Sequence, residues 1–114
     1  MTIFNQTKNT IIAKQAAMAD TFRARLVGLL NRESIDDNEA LIITQCQSIH
    51  MFFMRFAIDA IFVDKNNSVV GLVNNIQPGH LSPFFPRSSY CIETAVGAIQ
   101  KSDTSIGDTI KLEI

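Results

Sequence analysis

The stretch Ile58-Asp59-Ala60-Ile61-Phe62-Val63-Asp64-Lys65-Asn66-Asn67-Ser68-Val69-Val70-Gly71-Leu72-Val73 decides the fold. Two β-favouring apolar segments flank a short polar connection that contains Asp and Asn, a composition typical of a hairpin turn. The sequence therefore predicts an antiparallel hairpin with residues 58–63 as its first strand and residues 68–73 as its second.

Strand-like segments recur on both sides of this hairpin. Short apolar or alternating runs predict further strands, which follow a frayed start and cover residues 11–14, 40–43, 89–93 and 109–114. In the last of these, the alternation places three residues on the core side: Ile110, Leu112 and Ile114.

One long helix is predicted over residues 21–31, and a helical turn over residues 97–102. Asp20 or Thr21 can cap the long helix, because their side-chain oxygens accept hydrogen bonds from its first free amides. Its apolar face is a stripe of Phe22, Leu26, Leu29 and Leu30. We therefore expect a mostly β (α+β) fold, a small antiparallel β-sandwich or barrel of about six strands with one packed helix.

Size and charge limit the class of protein. The 114 residues correspond to a single domain, residues 1–114. Ten basic and eleven acidic residues give a net charge of −1 without a basic stripe, so nucleic acid is not an expected partner. No apolar run approaches the length of a membrane span, and the N-terminus has no basic segment followed by a long apolar one. The sequence as written therefore predicts a soluble, cytoplasmic protein.

Cys46 and Cys91 are the two cysteines. Their spacing is no disulfide framework, so a single disulfide and two free thiols are both open. With His50 and His80 they could supply a zinc site, but Cys46-x-x-x-His50 is the only close pair, and zinc sites usually contain closer pairs of like ligands. No phosphate loop, Ser-His-Asp order or dinucleotide fingerprint is present. We expect no metal and no cofactor.

Five pieces of the chain resemble one known family. They are Arg25-x-x-Gly28-Leu29, Cys46-x-Ser48-Ile49-His50, Phe52-Phe53-Met54-Arg55-Phe56-x-Ile58-Asp59, Glu93-x-x-x-Gly97 and Gly107-Asp108. Over residues 19–114 the chain is similar to the domain-of-unknown-function 192 family, and residues 48–59 are the most specific part of the match. The resemblance implies a small, mostly β domain and brings no established activity, substrate, cofactor or catalytic residue. Many relatives are exported, which this N-terminus does not indicate.

Arg55 and Asp59 are charged residues inside an apolar stretch, where an unpaired charge is costly. On a continuous strand they would share a face but lie about 13 Å apart. Arg25 and Glu93 are the most obvious remaining partners for these two charges. One interpretation is a buried network of two arginines and two acids, in which Arg55 pairs with Glu93 or Asp59. The alternative is an arginine that faces a cleft and binds a carboxylate or phosphate.

His50 lies in an apolar run, where histidine is more often hydrogen-bonded in a core than catalytic. On a straight strand it would face away from Arg55, so a joint site needs a bend, which we expect near residues 54–57. Cys46 precedes His50 by four residues, and a thiolate beside an imidazole could act as a nucleophile with an acid orienting the ring. This pair defines the enzyme alternative, a hydrolase or transferase.

Phe84 and Phe85 lie in a loop bounded by prolines, where they either cap the end of a barrel or line a pocket. We therefore predict a concave site with His50 and Arg55 on its floor and Phe84 or Phe85 on its rim.

These residues favour a non-catalytic accessory domain that binds a small anionic ligand, or the carboxylate of a protein partner, in an arginine-centred pocket. The candidate ligand-binding residues are His50, Arg55, Asp59, Glu93, Arg25, Phe84 and Phe85. Besides the enzyme, the other alternative is a protein-interaction module that docks through its exposed aromatic loop.

Overall fold

Eight strands and two short helices form along the chain in the computed structural model, which describes residues 1–114 except for the side chains of Phe22, Arg23 and Leu26. The strands are β1 (Thr2–Asn5), β2 (Thr10–Ala13), β3 (Gln15–Ala19), β4 (Glu39–Thr44), β5 (Ile58–Val63), β6 (Val69–Ile76), β7 (Tyr90–Thr94) and β8 (Ile110–Glu113). The helices are α1 (Phe22–Val27) and α2 (Ala98–Lys101). The mostly β prediction is confirmed, with eight strands in place of about six. Within the described chain, no helix has the length and apolar character needed to cross a bilayer.

The strands form two sheets, of three strands in the order β2-β1-β8 and of five strands in the order β3-β4-β7-β5-β6. The pairings are antiparallel except that of β3 with β4, which is parallel. The fold is thus antiparallel, as expected, apart from this one parallel pair at the edge of the larger sheet. A parallel pair needs a crossover of a dozen or more residues, and residues 20–38, which include α1, supply it.

The predicted hairpin is confirmed as β5 and β6, which pair with Ile61 opposite Leu72. Asp64 shapes the turn, because its Oδ1 accepts hydrogen bonds from the amides of Asn66 and Ser68, both at 2.9 Å. β5 lies between β7 and β6, and all six of its residues are buried. The stretch that decides the fold is thus inside the larger sheet.

The five-stranded sheet carries an apolar core on each face. Phe62 of β5 belongs to a cluster with Leu29 and Cys46, on the face covered by α1 and the long loops. Ile61, the preceding residue, belongs to a second cluster with Ile3 of β1, which lies between the two sheets. Successive residues of a strand point to opposite faces, so β5 contributes to both cores.

Both chain ends belong to the three-stranded sheet. The predicted frayed start is wrong, because β1 pairs with both β2 and β8. Asn5 in β1 is fully buried, and its Nδ2 donates to Oδ2 of Asp108 at 2.9 Å. In β8, Ile110 is buried and Leu112 is half-buried. The prediction that Ile114 faces the core is also wrong, because it lies beyond the last paired residue and is fully exposed.

α1 is shorter than the helix predicted over residues 21–31. Thr21 caps it as expected, and its Oγ1 accepts a hydrogen bond from the amide of Ala24 at 3.0 Å. The helix ends at Gly28, whose φ of 51° lies in the left-handed region that favours glycine. This turn ends the helix before the apolar periodicity of the sequence does.

Part of the predicted apolar stripe lies in that turn. Leu29 and Leu30 pack on the first cluster after the helix has ended. The side chains of the other stripe residues, Phe22 and Leu26, lie outside the described residues. The helical turn expected at residues 97–102 is confirmed as α2.

Candidate functional site

A cavity of about 120 Å³ opens between α1, the end of β4 and β7. Apolar side chains that include Leu29, Leu30 and Ile49 form much of its wall. The side chains that give it chemical character are Arg25, Cys46, Ser48, His50 and Glu93.

The chain turns sharply where β4 ends. Gln45 has a φ of 52°, and this left-handed residue directs Cys46 back toward β7. The amide of Cys46 donates to the carbonyl of Ser89 at 3.3 Å, and its own carbonyl accepts from Oγ of Ser88 at 2.7 Å. The thiol donates to the carbonyl of Ser48 at 3.3 Å. These bonds fix Cys46 and Ser48 on the cavity wall.

The segment that carries His50 is hydrogen-bonded to residues 80–82, which lead into the loop that carries Phe84 and Phe85. The carbonyl of Ile49 accepts from the amide of Ser82 at 2.9 Å, and the amide of Met51 donates to the carbonyl of His80 at 2.8 Å. The His50 ring stacks on Phe52 with centroids 5.2 Å apart. His50 therefore sits at the cavity edge, on a short extension outside the two sheets.

Glu93 is the buried acid of the cavity. It lies in β7 and is only 6% exposed. Burial, and secondarily the adjacent Cys46, raises the pKa of its carboxyl to about 8. At neutral pH the side chain is therefore mostly protonated, and it can donate one hydrogen bond as well as accept others.

Cys46 and Cys91 belong to the same buried cluster, and the amide of Cys46 bonds the carbonyl of Ser89, two residues before Cys91. Both are free thiols, so the disulfide option is not realised. Cys46 reaches the cavity, whereas Cys91 is wholly buried. The neighbouring Cys91 thiol lowers the pKa of Cys46, and burial raises the pKa of Cys91 well above its usual range.

Arg25 is the cationic side chain of the cavity. Its Nη1 donates to the carbonyl of Asp20 at 2.9 Å and to Oγ1 of Thr44 at 3.5 Å. Among the ion pairs of the described residues, none involves Arg25. The guanidinium is therefore held in place by neutral groups alone.

A wider groove of about 380 Å³ adjoins the cavity on its outer side. Arg25, Cys46 and Ser48 line both spaces. Phe84 forms part of the groove wall and is 63% exposed. The two spaces together form a recess with largely apolar walls, a few polar side chains and an aromatic rim.

Arg55 does not take the predicted position. Its Nη1 lies 3.4 Å from Oε1 of Glu33, and both side chains are largely exposed. The expectation that it pairs with Glu93 or Asp59 is wrong, and it does not line the cavity with His50. An exposed ion pair contributes about 0–1 kcal/mol, so the predicted buried network of two arginines and two acids is not formed.

Asp59 is buried, but its partners are backbone amides and not the predicted arginine. Its Oδ1 accepts from the amide of Asn75 at 2.8 Å. Its Oδ2 accepts from the amides of Gly97 and Ile99 at 3.0 and 3.2 Å. The carboxylate joins β5 to β6 and to the start of α2, so the structure uses this candidate ligand-binding residue within the fold.

The two aromatic residues of the proline-bounded loop separate. Phe85 packs on Phe62 with ring centroids 4.5 Å apart and contributes to the core. Phe84 is the one on the groove wall. Phe84 is therefore the rim residue of the groove, and Phe85 anchors the same loop by packing into the core.

The Cys46 and His50 pair does not have the geometry of a nucleophile and its base. The Cys46 thiol donates a hydrogen bond to the carbonyl of Ser48, and no described hydrogen bond joins it to His50. Within the described residues, no three or more His, Cys, Asp or Glu side chains are grouped as metal ligands would be. The four residues weighed for zinc are thus not assembled.

Sequence reasoning did not select Ser48 or Gly28 as site residues, although both line the cavity. A signal was present, because each lies in a segment that carries the family resemblance. A Cβ on Gly28 would make only ordinary contacts, at 3.9–4.0 Å, so it is the positive φ of 51° and not a lack of space that favours glycine there.

The fold and this recess define a small two-sheet β domain with a cavity, partly lined by polar side chains, where β4 ends. The chain belongs to the DUF192 family, described as uncharacterized ACR, whose profile matches residues 3–112. The expected family membership is thus confirmed. The family is uncharacterised, so membership assigns a fold and not an activity.

Individual relatives agree with this assignment. A UPF0127 protein of Thermococcus sibiricus is 36% identical over 120 residues, which cover 98% of this chain and 75% of that protein. A UPF0127 protein of Pyrococcus horikoshii is 31% identical over 112 residues, 96% of each chain. A crystal structure of a protein of unknown function from Novosphingobium aromaticivorans has a TM-score of 0.83 at 19% identity, covering 97% of this chain and 82% of that one. That likeness shows the shared fold.

Proposed function

We propose that this domain binds a small molecule with a carboxylate head group in the cavity between α1 and β7. Arg25 supplies the positive charge, in the role that the sequence suggested for Arg55. The observation that carries the proposal is a cavity-lining arginine that has neutral partners and no described carboxylate.

The hydrogen bonds of Arg25 leave its positive charge unneutralised, which supports an anionic ligand. Its two bonds to neutral oxygens orient the guanidinium without neutralising it. A guanidinium presents a planar fork of donors that matches a carboxylate, and such charge-assisted bonds are about twice as strong as neutral ones. A small anion would complete this arrangement.

Ser48 and Glu93 add hydrogen-bond donors next to that charge. Both line the cavity with Arg25. Because burial raises the pKa of Glu93 to about 8, its carboxyl is mostly protonated at neutral pH and can donate a hydrogen bond to a ligand oxygen. A carboxylate has only acceptor oxygens, so a lining of three donors favours it over a neutral amide.

The dimensions support a ligand with a small head and a larger body. A volume of 120 Å³ corresponds to about four water molecules at their share of the liquid, enough for a carboxylate group. The outer groove of 380 Å³ leaves room for an apolar body against Phe84.

A thermal-shift titration tests the proposal with benzoate as the probe and benzamide as its neutral counterpart. Benzoate raises the melting temperature of the wild-type domain in a saturable manner, because a ligand that binds only the folded state stabilises it by about 2.7 kcal/mol at 100 times its Kd. Benzamide gives little or no shift at the same concentrations. Arg25→Gln weakens benzoate binding at least tenfold.

Arg55→Gln is the matched control, because it removes an arginine whose partner is the exposed Glu33. It keeps the benzoate shift. Equal binding of benzoate and benzamide, or undiminished benzoate binding by Arg25→Gln, would overturn the assignment of Arg25. If acetate, benzoate and inorganic phosphate all leave the melting temperature unchanged, the cavity does not bind small anions.

A further inference from the structure

We propose that Cys46 and Cys91 form a thiol–disulfide exchange site, in which Cys46 reacts with a low-molecular-weight disulfide and Cys91 then displaces the attached thiol. This inference does not depend on the anion-binding function, because it rests on different atoms and has a different readout.

The placement of the two thiols supports a stepwise reaction. Cys46 lines both the cavity and the outer groove, so a small reagent can reach its sulfur. Cys91 is 0% exposed and lies behind it in the same buried cluster. A reagent from solution therefore meets Cys46 first, and Cys91 can react only with a group already attached to Cys46.

The backbone explains why the two cysteines come close. Ile43, not Cys46, lies opposite Cys91 in the pairing of β4 with β7. The left-handed turn at Gln45 directs Cys46 back over β7, where its amide donates to the carbonyl of Ser89, two residues before Cys91. Two cysteines that are 45 positions apart in the sequence therefore belong to one buried cluster.

The chemistry is that of ordinary exchange. The Cys46 thiolate attacks one sulfur of a disulfide RSSR, the S–S bond of the reagent breaks, and the departing RS⁻ takes up a proton to give RSH. Cys91 then loses its proton and attacks the Cys46 sulfur, which releases the second RSH and leaves a Cys46–Cys91 disulfide. The two cysteines lose two electrons and two protons, and the reagent gains both.

The two steps differ in expected rate. Cys46 meets the reagent at the cavity wall, whereas Cys91 is wholly buried, and burial raises the pKa of its thiol well above the usual range. The second step is therefore the slower one, and the mixed disulfide on Cys46 accumulates before it is resolved.

Intact-mass spectrometry of the native protein with 2-hydroxyethyl disulfide tests the proposal. In the wild-type protein one thiol adduct appears and then decays to a species about 2 Da lighter than the starting protein. Peptide mapping of that species identifies a Cys46–Cys91 link, and dithiothreitol restores the original mass. Cys46→Ser remains unmodified, because Cys91 alone is inaccessible.

Cys91→Ser is the matched variant for the second step and retains the adduct on Cys46 without loss. If it does not fold, Cys91→Ala serves the same purpose and preserves the apolar surroundings. A native wild-type protein that stays unmodified overturns the proposal. So does a wild-type adduct that persists as long as that of the Cys91 variant, or a disulfide that links two separate chains.

Discussion

The ring of Phe85 lies directly against the backbone of Gly71, so that a Cβ at Gly71 would come within 2.4 Å of its Cε1. Gly71 is opposite Phe62 in the pairing of β6 with β5, and Phe62 contacts the same ring. Only glycine leaves this space free on β6. The ring of Phe85 thus joins the loop that borders the groove to the sheet, while the amide of Phe85 bonds the carbonyl of Gln47 at 2.8 Å.

Gly71→Ala should destabilise the domain by about 1–3 kcal/mol, because the added methyl group overlaps the Phe85 ring and forces it to move. Chemical denaturation of both single variants and of the double variant with Phe85→Leu measures the coupling. The double variant should lose less than the sum of the single losses, since the shorter side chain leaves room for the methyl group.

Phe84→Leu is the control for this cycle, because Phe84 is the exposed neighbour of Phe85. Combined with Gly71→Ala, it should give an additive loss. Additivity of the Phe85 cycle would instead mean that the ring does not depend on glycine at this position.

Asp59→Asn should cost about 2–4 kcal/mol of unfolding free energy. The carboxylate accepts from three backbone amides, and an asparagine side chain can accept only through its single oxygen. Its NH2 group would then face amide donors, leaving them unsatisfied. Urea denaturation measures the loss, and Asp37→Asn, on an exposed surface pair, should change stability by less than about 0.5 kcal/mol. Equal stability of both variants would contradict a role for Asp59 in joining β5 to α2.

The last strand provides a comparison of burial within one element. Ile110 is 2% exposed in the core between the sheets, whereas Leu112 is half-buried at its margin. We expect Ile110→Ala to cost about 3–5 kcal/mol and Leu112→Ala about 1–2 kcal/mol, because the second removes less buried volume. Thermal or urea denaturation of both variants checks the order, and a larger loss for Leu112 would mean that the register of β8 is shifted.

Local signals explain which parts of the fold were predictable from sequence. The hairpin of β5 and β6 follows from two apolar, β-favouring segments around one polar turn, all within neighbouring residues. β3 was missed because Gln15–Ala19 is largely exposed at a sheet edge and lacks a clear alternation. Its partner β4 lies across a crossover, and no local pattern indicates a parallel pairing at that distance. The helix was overextended because Leu29 and Leu30 continue the apolar spacing into the turn after Gly28.

The residue types of the site were predictable from sequence, but the direction in which each side chain faces was not. Arg25, His50 and Glu93 do line one cavity. Whether Arg25 or Arg55 lines it depends on a turn for which the sequence has no recognisable signal. Phe53 adopts a φ of 65° there, which is uncommon for a bulky residue, and Arg55 then points to Glu33. Glu33 lies in a polar loop without periodicity, so no pattern connected it with Arg55.

Glu93 should make the stability of the domain fall as the pH rises from about 5 toward 8. In the unfolded chain this carboxyl ionises near its ordinary pKa of about 4.3, whereas in the folded protein burial raises the pKa to about 8. Between these values the folded state retains a proton that the unfolded state has lost. A folded state that binds more protons loses stability with increasing pH, by about 1.4 kcal/mol per pH unit for one proton. Glu93→Gln has no such proton, so its stability relative to the wild type should increase by that slope between pH 5 and 7.5. Urea denaturation of both proteins at several pH values measures the difference, in which contributions common to both cancel.

Glu39→Gln is the matched control, because the hydrogen bond from Arg32 to Glu39 lowers the pKa of Glu39 and places its titration below this range. Parallel curves for the wild type and Glu93→Gln would show that Glu93 is ionised in the folded protein, and the cavity would then lack the neutral donor assigned to it.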